Sequence, residues 1–146
     1  MAEEKLQIAL VGAGKMGSLH LSKFRTLPDC EIVGVYDVDA DRTIAICKPL
    51  GLKAYTQLED LIFDADAIVI ASSTTSHYAI AKLALNAGLH VLVEKPLALT
   101  AKEAWELVRL SKEKQLTLQV GFVERFRFRD LSKKLSLSQI KQIDCE

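Results

Sequence analysis

The sequence has no apolar run long enough to cross a membrane. Its longest uninterrupted stretches, such as Ala67 to Ala71, fall far short of the roughly 18 residues that a spanning helix needs. It has no excess of either charge, because 19 Lys and Arg balance 19 Asp and Glu. No whole-chain field therefore draws it to nucleic acid or to an anionic membrane. Cysteine is scarce and scattered: Cys30, Cys47 and Cys145 show no Cys-x-x-Cys spacing. That pattern reads as reduced, packed thiols in a cytoplasmic protein, not as a metal site or a disulfide framework. Internal repeats and low-complexity linkers are absent. The opening Met1-Ala2-Glu3-Glu4-Lys5 is acidic and leads directly into a strand-like run, so no signal peptide is expected. What remains is a chain of 146 residues, 49% hydrophobic and 26% charged, the size and composition of one globular domain.

Short apolar runs alternate with longer amphipathic ones. Leu6 to Val11 reads as a buried strand, followed by a helix with Met16, Leu19, Phe24 and Leu27 on its apolar stripe and Pro28 as its stop. Residues 31–36 form a second strand ending at Asp37, and Asp39 caps a helix that runs to about Pro49. A short strand at 52–55 precedes a brief helix capped by Thr56. Residues 67–71 form the fourth strand, and a helix from Tyr78 to Ala87 is closed by Gly88. The fifth strand, 89–93, ends at Glu94-Lys95-Pro96. Thr100 and Glu103 form a capping box for a helix whose core-facing stripe includes Trp105, and 116–120 is the sixth strand. Continuous apolar strands separated by helices predict a parallel sheet covered on both faces, the Rossmann doubly wound α/β fold. Beyond Gly121 the chain turns basic: 124–134 is helix-compatible and 139–143 reads as one more strand.

Gly12-Ala13-Gly14-Lys15-Met16-Gly17 fits G-x-G-x-x-G between a strand and a helix, with Asp37 twenty residues past Gly17 at the end of the second strand. Gly12 allows the tight turn, Gly14 lets a diphosphate approach the backbone, and Gly17 lets helix and strand pack closely. The freed amides and the positive end of the helix would hold the phosphates. Asp37 would accept from the adenosine ribose hydroxyls and repel a 2′-phosphate, which favours NAD. Nearby Arg42 keeps NADP open.

Together with these glycines, Ala71-Ser72-Ser73-Thr74-Thr75-Ser76-His77, Glu94-Lys95-Pro96-Leu97 and Gly121-Phe122-x-x-Arg125-Phe126 resemble the Gfo/Idh/MocA oxidoreductases. That family includes glucose–fructose oxidoreductase and myo-inositol dehydrogenase. The resemblance implies that Lys95 contacts substrate and assists proton transfer, and that Glu94 lies near the nicotinamide ribose. It also implies that Ser72, Thr74 and His77 belong to a loop lining the cofactor, that Arg125 helps close the cleft, and that the Lys95–Pro96 bond is cis. His77 is equally readable as a capping or packing residue, and His20 and His90 read as structural. A bottom-up reading agrees for Lys95, because ligands bind at the carboxyl ends of the strands in such sheets, and burial there would suit it to acid–base work.

There are departures from the family pattern. The Ser/Thr-rich loop lacks the Pro and Asn common in the family, and Arg127-Phe128 stands where Asn-Pro is frequent. The family carries a second α/β domain. The expected division is a dinucleotide-binding domain at 1–121 and, at 122–146, a connecting helix and first strand of an otherwise absent substrate domain, so the chain reads as truncated. The function expected is hydride transfer between nicotinamide and a sugar- or polyol-like alcohol or ketone, with the chain alone inactive. A stand-alone dinucleotide-binding regulatory module is the alternative. A Rossmann domain for S-adenosylmethionine or a flavin is disfavoured by Glu94-Lys95-Pro96. The partners expected are a small polyol or sugar and a second copy of the chain through an exposed sheet edge, not nucleic acid and not a membrane.

Overall fold

The computed structural model describes residues 5–122. The expected helix at 124–134 and strand at 139–143, with Arg125 and Cys145, lie outside these residues. Six parallel strands run in the order β3-β2-β1-β4-β5-β6. They are β1 (Leu6–Val11), β2 (Cys30–Tyr36), β3 (Ala54–Tyr55), β4 (Ala67–Ile70), β5 (His90–Val93) and β6 (Leu118–Val120). Helices α1 (Lys15–Phe24), α2 (Ala40–Cys47), α3 (Leu58–Phe63), α4 (Thr74–Ala87) and α5 (Ala101–Glu113) fill the crossovers. The order reverses between β1 and β4. In a doubly wound sheet the crevice at that point, beyond the strands' carboxyl ends, is where a ligand sits.

Alternation along each strand divides the core into two layers. Ile8, Leu10, Ile32, Val35 and Val69 pack with Leu21 of α1 and Cys47 of α2 on one face. Ala9, Val11, Ile68, Ile70, Val91 and Val93 pack with Leu61, Ile80, Ala84, Leu85 and Leu107 on the other. Burial on both faces explains why the central strands read as continuous apolar runs. Each fully buried Leu or Ile contributes about 1.5–3 kcal/mol.

Several local expectations are corrected. The buried stripe of α1 is Gly17 and Leu21 with Phe24 half-buried, while Met16, Leu19 and Leu27 are exposed. Trp105 is 71% exposed and does not face the core. It lies two residues, about 200° of helix rotation, from the fully buried Leu107. Thr56 caps nothing: Gln57 takes the N-cap position of α3, without a side-chain bond. Helix α4 starts at Thr74, one turn earlier than Tyr78, because burial of His77 outweighs the poor helix propensity of the Ser/Thr run. The capping box of Thr100 and Glu103 is present, as are the Asp39 cap and the left-handed Gly88 that ends α4. Cys30 and Cys47 are free thiols, and burial pushes the Cys47 thiol up from its ordinary value. Among the described residues, no helix is long and apolar enough to cross a membrane.

Candidate functional site

The turn after β1 is built on two glycines that the chain cannot exchange. Gly12 has φ +101°, and a Cβ there would lie 2.5 Å from the Ala71 carbonyl oxygen. A Cβ on Gly17 would overlap the Gly12 carbonyl oxygen itself. Both positions are fixed by the protein's own packing. Gly14 differs: nothing lies within 4 Å of where its Cβ would be, and its backbone is extended at φ −80° and ψ −168°, a conformation open to any residue.

Gly14 is the N-cap of α1 and no side chain caps that helix. Ser73, at the start of α4, likewise makes no side-chain cap bond. Helices α2 and α5, by contrast, are capped by Asp39 and Thr100. Of the helices without a side-chain cap, α1 and α4 open on the same crevice, and their first amides give it a positive end. The crevice has a volume of about 350 Å³ and is lined by Gly12, Gly14, Asp37, Arg42, Ser72 and Ser76 among others. Ser72 and Ser76 are joined through their hydroxyl oxygens at 2.7 Å.

Asp37 sits at the far end of this crevice. Its Oδ2 accepts from the Ala13 amide at 2.7 Å and its Oδ1 from the Asp39 amide at 2.9 Å. The carboxylate thus braces the glycine turn. It has about four lone-pair sites, so capacity remains for sugar hydroxyls. Arg42 lies 3.9 Å from Asp37 Oδ2 and 3.2 Å from Asp39 Oδ2. Two acids share one cation, which leaves this end of the crevice negative.

At the end of β5 the Lys95–Pro96 bond is cis, as the family resemblance implied. Glu94 is 8% exposed. Its Oε1 lies 2.7 Å from His20 Nε2 of α1, and its Oε2 accepts from the Lys95 amide at 3.3 Å. Lys95 itself is exposed, so the expectation that burial tunes it does not hold among the described residues. His77 is 1% exposed, with Nδ1 2.8 Å from the Pro96 carbonyl oxygen and Nε2 3.1 Å from that of Ser72. Both ring nitrogens face backbone carbonyls, and the nitrogen that carries the hydrogen donates to one of them while the other only lies against its neighbour. Neither Thr74 nor His77 lines the crevice, whereas Ser72, Ser73 and Ser76 do. Lys15 and Met16 are exposed in the first turn of α1. His90 accepts from the Thr117 amide, a structural role at the opposite end of the sheet.

Sequence reasoning missed His20, Ser73 and Ser76. The signal for His20 was available: Leu92 packs on the face covered by α1, and Glu94, two residues on, must point the same way. Among the described residues, no group of three or more His, Cys, Asp or Glu side chains could hold a metal ion.

Known proteins resemble this chain in sequence and in fold. UDP-N-acetylglucosamine 3-dehydrogenase of Acidithiobacillus ferrooxidans is 31% identical over 120 residues, 82% of this chain and 38% of that protein. Myo-inositol 2-dehydrogenase of Thermotoga maritima is 31% identical over 124 residues, 83% of this chain and 37% of that protein. Among solved structures, GenD2 from gentamicin A biosynthesis, in complex with NAD, superimposes with a TM-score of 0.78 at 30% identity, covering 81% of this chain and 34% of that one. The chain thus spans under half the length of these relatives. The oxidoreductase family with an NAD-binding Rossmann fold, Gfo/Idh/MocA, matches residues 6–122. The chain belongs to the Gfo/Idh/MocA oxidoreductases, and the matched residues are its NAD-binding Rossmann fold.

Proposed function

We propose that the chain binds NAD across the β1–β4 crevice and presents Lys95 to a sugar- or polyol-like alcohol or ketone. The observation that carries this reading is the space at Gly14. Packing does not require glycine there: the place of its Cβ is open, and Gly14 both lines the crevice and starts the uncapped α1. A diphosphate approaching those amides does require it.

In this reading the amides of Lys15 and Met16, with Gly12 and Gly17 shaping the turn, hold the diphosphate. Asp37 accepts from the adenosine ribose. Ser72 and Glu94 lie along the nicotinamide half, with Arg125 closing it, and His77 acts on the loop through the Pro96 carbonyl it faces. Bound NAD supplies the hydride acceptor. Lys95 takes or returns the alcohol proton, and its flexible ammonium suits that role. Residues 1–121 form the dinucleotide-binding domain, and 122–146 begin a substrate-binding one that turnover requires. The relatives named for a nucleotide sugar and for myo-inositol support the substrate class. The free thiols Cys30 and Cys47 fit a cytoplasmic setting.

Calorimetric titration of the chain with NAD and with NADP tests the reading. NAD is expected to bind at least about tenfold more tightly, because a 2′-phosphate would meet the Asp37 and Asp39 carboxylates. Tighter NADP binding would refute the role of Asp37. Binding of neither would refute the site.

A further inference from the structure

The Glu94-Lys95-Pro96 loop is held from both faces of the sheet, by one histidine from each. On the α1 face, His20 Nε2 meets Glu94 Oε1 at 2.7 Å, and the same carboxylate accepts from the Lys95 amide. The carboxylate also packs on the backbone at the end of β6: a Cβ on Gly121 would lie 3.1 Å from Glu94 Oε1. Its position is thus defined by α1, β5 and β6 together. On the α4 face, His77 Nδ1 meets the Pro96 carbonyl oxygen at 2.8 Å. Lys95 lies between the two tethers.

Each tether starts from a helix that opens on the crevice. His20 lies six residues beyond Gly14 on α1, and His77 four residues beyond Ser73 on α4, so helices rising about 1.5 Å per residue carry them away from the crevice mouth. His77 Nε2 also reaches the carbonyl oxygen of Ser72, a residue lining the crevice. A rigid helix whose first amides grip a ligand transmits a small shift at that end to the side chains further along it. A carboxylate and a carbonyl oxygen only accept, so each neutral ring donates one bond: His20 Nε2–H to Glu94 and, in the tautomer that tethers the loop, His77 Nδ1–H to Pro96, with His77 Nε2 then in contact with the Ser72 carbonyl without a hydrogen to give it.

We infer that His20 and His77 are positioning residues that fix the Glu94-Lys95-Pro96 loop and couple it to occupancy of the dinucleotide crevice. This rests on the proposed binding of NAD. Neither histidine touches the reacting atoms in this account. Each acts through Glu94 or Pro96 on the place of Lys95.

The test compares amide NMR spectra of the chain as wild type, His20→Ala, His20→Gln and His77→Ala, first alone and then titrated with NAD. In wild type, NAD is expected to shift the Gly14, Lys15 and Met16 amides directly and the Lys95 amide through the tethers. In His20→Ala the shift at Lys95 is expected to vanish while those at 14–16 persist, with NAD affinity lowered by less than about threefold, because no ligand contact is removed. His20→Gln, whose amide can still donate to Glu94, is expected to restore the Lys95 response. His77→Ala should likewise silence Lys95. If that variant fails to fold, the His20 pair decides the matter alone. A wild-type Lys95 response in folded His20→Ala overturns the inference, since a purely packing role would leave it intact. Absence of NAD shifts in wild type defeats the binding proposal instead. In that case the ligand-free spectra still report the tethers, and Lys95 and Gly121 amides unchanged in His20→Ala would overturn those too.

Discussion

Gly17→Ala is expected to destabilise the chain by at least about 3 kcal/mol, the upper end of what overpacking costs in a core, and to abolish NAD binding. The added methyl would overlap the Gly12 carbonyl oxygen, a backbone atom with no rotamer into which to retreat. Relief requires α1 to move away from β1, and Leu10, 3.8 Å from the same point, gives no space on the sheet side. The turn that carries Gly14 would move with the helix. Thermal unfolding followed by circular dichroism should show Tm lowered on the order of 10 °C, and calorimetry should show no NAD heat. A Gly17→Ala protein with wild-type Tm and wild-type affinity would mean that the close helix–strand contact is not what holds the cradle.

Lys95→Ala is expected to have the largest effect on turnover and almost none on cofactor affinity. Loss of a positioned acid–base group typically lowers the rate by about 10²–10⁴-fold. Lys95 is exposed, no described interaction of its ammonium supports the fold, and it is not among the residues lining the dinucleotide crevice. NAD affinity should therefore stay within about twofold, and a change that small is below half a kcal/mol. The assay belongs in a polypeptide that also carries the proposed substrate-binding domain, with sugars and polyols as substrates. Unchanged kcat in Lys95→Ala would remove Lys95 from the chemistry, whereas a large loss of NAD affinity would turn it into a cofactor ligand.

The parts of the fold that local chemistry dictates were legible in the residues. The six strands and their parallel, doubly wound class follow from apolar runs such as Leu6–Val11 and Ala67–Ile70 separated by helices, and the caps at Asp39, Thr100 and Gly88 follow from side-chain type and spacing alone. The glycine turn was legible because strand, glycines, helix and Asp37 each constrain the others. The misread parts depend on which face of an element meets the sheet. Trp105 is a large apolar residue at roughly helical spacing, yet the face of α5 that packs is set by Leu107. Met16 and Leu19 were similarly placed on the wrong side of α1, because Gly17, with no side chain to score as apolar, is in fact the centre of the buried face.

The site shows the same division. Gly12, Gly14, Gly17 and Asp37 declare themselves by spacing, but the contact between His20 and Glu94 joins residues 74 positions apart. No local pattern reports such a pair until the sheet is assembled. His77 carried the opposite difficulty. Its family position suggested a cofactor contact, while its ring is buried between two carbonyl oxygens of the loops that frame the crevice.

If Gly14 is glycine for the sake of a ligand, the most direct measurement is NAD titration of Gly14→Ala beside wild type, with Tm recorded for both. The open space around position 14 predicts a folded variant whose stability stays within about 1 kcal/mol of wild type, and whose NAD affinity falls at least about tenfold, 1.4 kcal/mol or more. Equal NAD affinity in a Gly14→Ala protein of unchanged Tm would contradict that role of Gly14, because the diphosphate would then not be lying against that backbone.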